Sequence, residues 1–408
     1  MEIKNKFQAV KHLLIFSLIL ISTFTACTSS KVVSDETVSP SPALEDSSPS
    51  SSNQITLLFA GDIMAHSVNY NVKNYSKIWD AIREEVQSCD FALANIEAPI
   101  DTTKSTSSYP NFNMSKAYVK AAVDAGFNVF SLCNNHTNDQ LLSGIKETKK
   151  TTDALTKEAA EEGKALYFSG LKEKKEDSFS WNYIEKDGWN IIFLPVTELL
   201  NRPDSSDYIN YVKTDEASRK KLKDFITNLD SEYPNDLFIL SLHTAEAEYI
   251  RKVSSEQEDF YKSLLECGVD VLWANHTHLI KDRKYIFNTK DKSRKLIMYA
   301  NGNTISGQRT KPDFTSKKPN GERDNTGDGL MVKVTFEKSE NGKKAVITSA
   351  QNLFITTYIN TANEYLIKVM DQDFIDYLYD IPRLDWAEYI KRRIKINSEE
   401  TKDLIEWQ

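Results

Sequence analysis

Four short apolar runs in this chain each stop abruptly at polar groups, and that pattern restricts the fold more than any other feature. Ile55 to Ala60, Phe127 to Leu132, Leu237 to Leu242 and Val269 to Ala274 read as buried strands, and within a few residues of their ends stand His66, His136, His243, and His276 with His278. The second run gives way to Asn134, Asn135, His136 and Asp139, then to a long helical pattern. In open α/β sheets, ligands sit outside the carboxyl ends of strands. Taken singly, a histidine is an ordinary surface or core residue, and Asn-Asn-His is equally an Asx turn capping the next helix. Five histidines at strand ends are a different matter. With Asp62, Glu97 and Asn135 placed likewise, they supply the nitrogen and oxygen donors from which dinuclear metal sites are made.

The rest of the chain follows the same rhythm of strand, loop and helix. Helices are expected near Ser76 to Gln87, Met114 to Ala125, Gln140 to Glu162, Thr214 to Leu229 and Glu256 to Cys267. Further strands are expected at Phe91 to Asn95, Ala165 to Ser169, Trp181 to Glu185, Trp189 to Val196, Arg294 to Ala300 and Leu330 to Phe336, with a hairpin turned at Lys186-Asp187-Gly188. Such alternation means an α/β sandwich, spanning residues 54–360 as one domain. Asn303 to Asp328 fits no element and is expected to be a lid over the site or disordered. Residues 361–408 show helical spacing broken at Pro382 and are expected to form a helical C-terminal extension.

The N-terminal part is of another kind. Lys4, Lys6 and Lys11 precede an apolar core from Leu13 to Ile21, shorter than the roughly 20 residues a bilayer span needs, so residues 1–26 read as an export signal. Phe24-Thr25-Ala26-Cys27 resembles a bacterial lipobox, which makes Cys27 the expected lipidated N-terminus and the cell membrane a partner through that anchor. Residues 27–53 are rich in Ser, Pro and Thr and are expected to be a disordered tether that holds an extracytoplasmic head away from the membrane.

Charge narrows the partners. The chain carries 51 basic and 59 acidic residues; without Lys4, Lys6, Lys11 and Glu2 the balance is 48 against 58, or −10, which argues against nucleic acid. Cys89, Cys133 and Cys267 remain, an odd number without a complete disulfide framework. Free buried thiols are expected, a bridge from Cys89 to Cys133 and a soft-ligand role for Cys133 staying open.

The residue types at the strand ends suit metal chemistry. Asp62 follows Gly61, whose missing side chain permits close backbone approach; Asn95 and Glu97 lie on one side of an extended segment, as do His276 and His278. Two cations about 3.5 to 4 Å apart clamp the attacking and leaving oxygens of a displacement, and bring a bound water towards a pKa near 7.

Gly61-Asp62-Ile63-Met64, Asn95-Ile96-Glu97-Ala98-Pro99, Asn134-Asn135-His136-Thr137-Asn138-Asp139, His243 with Glu248-Tyr249, His276-Thr277-His278 and Asn301-Gly302-Asn303 stand in the order and approximate spacing of the CapA family, the bacterial poly-γ-glutamate capsule synthesis proteins. The resemblance runs from about Ile55 to Phe336. That family is similar to the calcineurin-type metallophosphoesterases, which implies a four-layer α/β/β/α sandwich and one or two divalent ions (Mn, Zn or Fe). By this likeness Asn135, His243 and His276 hold one ion, Asp62 and His278 the other, and Glu97 bridges or supports them. His136 protonates a leaving oxygen with Asp139 orienting its ring, and His66, Asn95, Glu248, Asn301 and Asn303 face the substrate. One departure concerns the metals: Met64 stands where the phosphoesterases have a histidine, so one ion lacks a ligand unless His66 folds back. Thr244-Ala245, Asn275, Thr277 and Thr304 also depart from the usual pattern.

Two functions compete. The favoured one is a metal-dependent hydrolase acting on phosphoesters or related bonds in cell-envelope polymer biosynthesis. The other is a factor that handles or anchors an anionic polymer without cutting it, in company with membrane capsule-synthesis proteins. For the second, Lys281 to Lys295 carries seven basic and two acidic residues just after His278, as a solvated hairpin or as a track for the polymer.

Overall fold

The computed structural model describes residues 52–289, 293–339 and 344–408. The export signal, Cys27 and all but the last two residues of the tether lie outside the described residues.

Two mixed sheets carry the molecule. The first contains β1 (Gln54–Ile63), β2 (Phe91–Ile96), β3 (Val129–Ser131) and β4 (Tyr167–Ser169) in parallel. It extends on the other side of β1 through antiparallel β12 (Asp328–Glu337), β13 (Val346–Ile359) and β14 (Tyr365–Val369), while short β11 (Asn303–Ile305) pairs with the end of β1. The second runs in the order β15 (Asp403–Trp407), β9 (Arg283–Phe287), β10 (Arg294–Met298), β8 (Val271–Asn275), β7 (Leu237–His243), β6 (Trp189–Thr197), β5 (Asn182–Lys186). β5 and β6 form the expected hairpin; Asp187 and Gly188 both take positive φ, the conformation a tight two-residue turn demands.

Side-chain alternation explains the layering. Along β1, Ile55, Leu57 and Phe59 enter a core shared with Phe193, Ile239, Trp273 and Met298 of the second sheet, whereas Leu58 and Ala60 turn to the opposite face. That face is covered by α1 (Arg83–Gln87), α2 (Lys116–Ala125) and α3 (Leu141–Glu161), through Val86, Tyr118, Val119, Ile145 and Leu155. On the far side of the second sheet, Leu222 and Ile226 of α4 (Glu216–Glu232) and Tyr261 and Leu264 of α5 (Ser255–Glu266) pack against Ile192, Leu240 and Leu272. The result is the expected α/β/β/α sandwich. Strands buried on both faces explain why the runs read as continuous apolar stretches.

Three segments differ from expectation. Ser76 to Gln87 is a 3-10 turn (Tyr75–Ile78) followed by the short α1, although Ile78, Ile82 and Val86 keep helical spacing and are all buried. The stretch 303–328, expected as a lid or disorder, is built into the fold: it contains β11 and α6 (Glu322–Asn325), and its Arg309 is fully buried. Beyond residue 360 the expected helices are present as α7 (Gln372–Asp380) and α8 (Leu384–Glu400). Yet the same segment also supplies β14 to one sheet and β15 to the other. Two five-residue edge strands beside strongly helical spacing were hidden from a periodicity reading.

Candidate metal centre and cavity

The carboxyl ends of β1, β2, β3, β7 and β8 converge, and the chain makes them meet by close packing. A Cβ on Gly61 would lie 1.9 Å from the carbonyl oxygen of Gly302, so only glycine lets these strands approach. Trp273 Nε1 donates to the carbonyl of Ala60 at 2.9 Å, tying the second sheet to the first just below the site. Asn301 Nδ2 donates to the carbonyls of Phe59 and Ala60 at 3.1 and 3.3 Å.

Above this floor stand two overlapping groups of donors. His243 Nε2 lies 2.9 Å from Asn135 Oδ1, 3.1 Å from His276 Nδ1 and 3.9 Å from Glu97 Oε1. His278 lies 3.4 Å from Asp62 Oδ2 through Nδ1 and 3.8 Å from Glu97 Oε1 through Nε2. Glu97, His243 and His276 form one candidate cation group, Asp62, Glu97 and His278 the other, and every member is buried. Two donors each about 2.1 Å from one cation, at ordinary coordination angles, lie roughly 3.0 to 3.4 Å apart; the 3.1 Å contact of His243 Nε2 with His276 Nδ1 falls in that range, the 2.9 Å contact with Asn135 Oδ1 lies just under it, and Glu97 Oε1 at 3.9 Å stands further off. All the expected ligands are thus brought together.

Electrostatics points the same way. Both oxygens of Glu97 and Oδ2 of Asp62 are buried with no hydrogen-bond partner. Burial, then the neighbouring Asp62 and Glu248, push the Glu97 carboxyl well above its usual range. Burial and the surrounding histidines hold His243 well below its ordinary value and His276 at about 3, so both imidazoles are neutral with lone pairs to offer. Unpartnered carboxylate oxygens and neutral imidazoles crowded on one point repel each other until a cation joins them. The donor set therefore fits a divalent ion. Backbone strain marks the same place: His276 (φ +108°), His278 (φ +56°) and Tyr249 (φ +63°) occupy a region that costs non-glycine residues on the order of 1–3 kcal/mol each.

A cavity of about 960 Å³ opens beside the donors, with Asn135 on its wall. His136 lines it, its Nδ1 2.7 Å from Asp139 Oδ2, and Asp139 Oδ2 also accepts from the backbone N–H of Phe112 at 2.7 Å. The pairing of ring and carboxylate is as expected from the sequence. His66 and Glu248 also line the cavity. His66 does not fold back to replace the histidine lost at Met64: it is absent from both donor groups, and its Nδ1 accepts from the N–H of Gly307 at 3.1 Å.

Three residues expected against substrate sit behind the donors instead. Asn95 donates from Nδ2 to Asp62 Oδ1 at 2.8 Å; Asn303 Oδ1 lies 3.0 Å from His278 Nδ1; Asn301 is spent on the β1 carbonyls. Each is fully buried because its amide satisfies backbone or ligand groups. Three cations in the described part of the basic run are paired within the chain. Lys281 is buried against Glu246 at 3.2 Å, Arg283 against Asp403 at 2.6 Å, and Lys284 pairs with Glu258. Cys133 is buried too and donates to the carbonyl of Gly170, outside the donor groups; Cys89 and Cys267 are half-buried, and all three thiols are free.

Sequence reasoning missed Asn201, Arg202, Gln308 and Arg323 on the cavity wall, as it did Tyr109, Pro110, Asn111 and Gly307. The signal for the first two was present: they follow the end of β6, another apolar strand, as the histidines follow theirs. Gln308 and Arg323 come from the aperiodic stretch after β11 and gave none.

The family model described as bacterial capsule synthesis protein PGA_cap matches residues 56–308. The capsule biosynthesis protein CapA of Bacillus anthracis is 27% identical over 272 residues, which span 62% of this chain and 60% of that protein. Similar solved structures include a hypothetical protein from Thermus thermophilus (15% identity, 74% of this chain and 98% of that one, TM-score 0.40). They also include the calcineurin-like phosphoesterase YfkN of Bacillus subtilis (10% identity, 83% and 99%, TM-score 0.39). The donors and the cavity's His136–Asp139 pair fall inside the matched residues, and the chain belongs to the PGA_cap family of bacterial capsule synthesis proteins.

Proposed function

We propose that this protein is a metal-dependent hydrolase of capsule or cell-envelope polymer biosynthesis, acting on phosphoesters or related bonds. The observation that carries the reading is Glu97: a fully buried carboxylate, both oxygens unpartnered, lying between two sets of imidazole and carboxylate donors beside an open cavity. Asn135, His243 and His276 would hold one divalent ion, Asp62 and His278 the second, with Glu97 between them. When bound, such ions supply Lewis acidity and lower the pKa of water.

The remaining work falls to the chain. His136, its Nδ1 fixed on Asp139, has Nε2 left to carry a proton to a leaving oxygen in the cavity. Phe112, edge-on to the His136 ring at 4.7 Å, keeps the ring from turning. Glu248 offers a hydrogen-bond acceptor to the substrate. The lipid anchor at Cys27 and a head outside the membrane belong to the same proposal; among the described residues no helix is long and apolar enough to cross a membrane.

The test is metal analysis of the purified protein, with turnover of generic phosphoesters and of poly-γ-glutamate measured with Mn, Zn or Fe supplied. His136→Ala is expected to lower turnover by about 10² to 10⁴ with metal content unchanged. A protein that holds no divalent ion, or a variant that turns over like the wild type, would refute the reading. Metal binding and polymer binding without turnover would favour a handling role.

A further inference from the structure

We propose that Arg202 and Arg323 form an oxyanion subsite in the cavity, holding a carboxylate or phosphate group of the substrate other than the one being cleaved. The inference deepens the hydrolase reading and rests on it for the identity of the cavity.

The two arginines, Arg202 half-buried and Arg323 exposed on the cavity wall, differ from several cations that are paired inside the fold. Arg219 is paired with Glu198, Arg251 with Glu400, Lys281 with Glu246, and Arg309 and Arg393 share Asp328. Arg202, which lines the cavity, donates from Nη2 to the neutral Asn111 Oδ1 at 2.5 Å, and no carboxylate among the described residues forms an ion pair with it. Among the described residues Arg323, itself exposed, pairs only with its exposed neighbour Glu322, at 4.0 Å, and its guanidinium sits 5.7 Å from the centre of the Tyr249 ring. Both are therefore free to take an incoming anion, and the planar fork of a guanidinium matches carboxylate and phosphate alike.

Charge balance gives them a purpose. Asp62, Glu97, Asp139 and Glu248 put four carboxyl groups beside and around the cavity. Two divalent ions would do no more than cancel four ionised carboxylates. Net attraction for an anionic substrate, on a chain of net charge −8, is left to the arginines.

The backbone that carries each group is also held in place before any ligand arrives. Asn138 Nδ2 donates to the Arg202 carbonyl at 2.8 Å, and the N–H of Asn201 donates to the Asn135 carbonyl at 2.9 Å, so Arg202 is fixed beside the donors and His136. Arg323 lies on α6, whose Asp324 accepts from the Tyr389 hydroxyl of α8 at 2.7 Å and whose Asn325 accepts from Arg251 at 3.1 Å. A fixed backbone spares part of the freedom otherwise lost on binding. The family match ends at residue 308, so one arginine comes from within the shared stretch and the other from the segment that follows it.

The experiment uses the full-length, metal-loaded protein and Arg202→Gln, Arg323→Gln and the double variant. Inorganic phosphate and glutarate are titrated calorimetrically, with metal content and melting temperature recorded. Each single change is expected to weaken at least one probe by about tenfold, a charge-assisted hydrogen bond's worth, and the double change to weaken it further, with metal content and melting temperature unaltered. Whichever probe suffers names the group as phosphate or carboxylate. In turnover the loss is expected in KM more than in kcat, as for a group bound equally in ground and transition states. Wild-type affinity for both probes in all three variants, or a wild type that binds neither, would overturn the subsite. A wild type without turnover whose probe affinities still depend on the arginines would defeat the hydrolase reading and leave the subsite standing.

Discussion

Two regions of this molecule bury charge equally deeply and treat it in opposite ways. At the strand ends, Asp62, Glu97, His243, His276 and His278 are crowded together with carboxylate oxygens left bare. Beside α8, Asp328 is just as buried, yet both its oxygens are taken. Oδ1 accepts from Arg309 Nη1 and Thr356 Oγ1, each at 2.9 Å; Oδ2 accepts from Arg393 Nε at 2.7 Å and Asn397 Nδ2 at 2.8 Å. A buried charge paired on every side belongs to the architecture, because its desolvation is offset within the chain. One without partners costs free energy until something outside the chain arrives. The contrast separates structural charge from functional charge more sharply than burial or residue type.

The largest expected effect tests the paired side. Asp328→Asn leaves two buried guanidinium groups facing a neutral amide, and is expected to lower unfolding stability by about 3 to 5 kcal/mol, read by denaturant titration. Burial alone would raise the Asp328 pKa, but Arg393 and Arg309 outweigh it and hold the carboxyl below its usual range. An acid whose folded pKa is depressed stabilises the fold above its unfolded value, near 3.9, and loses that contribution as pH falls through the folded value. The wild type should therefore lose this contribution only below about pH 4, and the variant should lack that part of the acid limb. A loss under about 1 kcal/mol would place the cluster among ion pairs that hydrophobic groups replace without cost.

The unpaired side should respond with the reverse sign. Glu97→Gln removes a desolvated carboxylate that faces Asp62 and Glu248, so the metal-free protein is expected to become more stable, by about 1 kcal/mol. In the wild type, a divalent ion at 100 times its dissociation constant should add about 2.7 kcal/mol, and most of that gain should vanish in Glu97→Gln. Melting curves with and without chelator decide the matter. If metal-free Glu97→Gln melts below the wild type, Glu97 is structural and the contrast with Asp328 collapses.

What the sequence made legible follows the same division. The donors stand within a few residues of apolar strand ends, so a local reading found Asp62, Glu97, Asn135, His136, His243, His276 and His278. The α/β/β/α layering was legible because strands such as β1 are apolar on both faces. Pairing at a distance was not legible. Asp328 meets partners 19 and 65 residues away in Arg309 and Arg393, and this pairing fixes the stretch from which Arg323 enters the cavity. In the basic run after His278, the acids that pair with Lys281, Arg283 and Lys284 are Glu246, Asp403 and Glu258, scattered along the chain and so not legible locally.

The smallest expected effect lies where the two regions touch. Asn303 Oδ1 is 3.0 Å from His278 Nδ1, while its Nδ2 donates to Ser306 Oγ, Gln308 Oε1 and the carbonyl of Thr326, two residues before Asp328. If Nδ1 donates to Asn303, Nε2 is left with its lone pair towards Glu97, 3.8 Å away. The fully paired segment then sets the ring and tautomer of a donor in the unpaired one, as partners of metal-binding histidines do elsewhere. Asn303→Ala should weaken one of two metal-binding steps by about tenfold and leave the step that depends on His243 and His276 untouched, as read by calorimetric metal titration. Equal weakening of both steps would mean that Asn303 supports the whole floor; no weakening of either would mean that the Asp62 and Glu97 carboxylates alone suffice to orient His278.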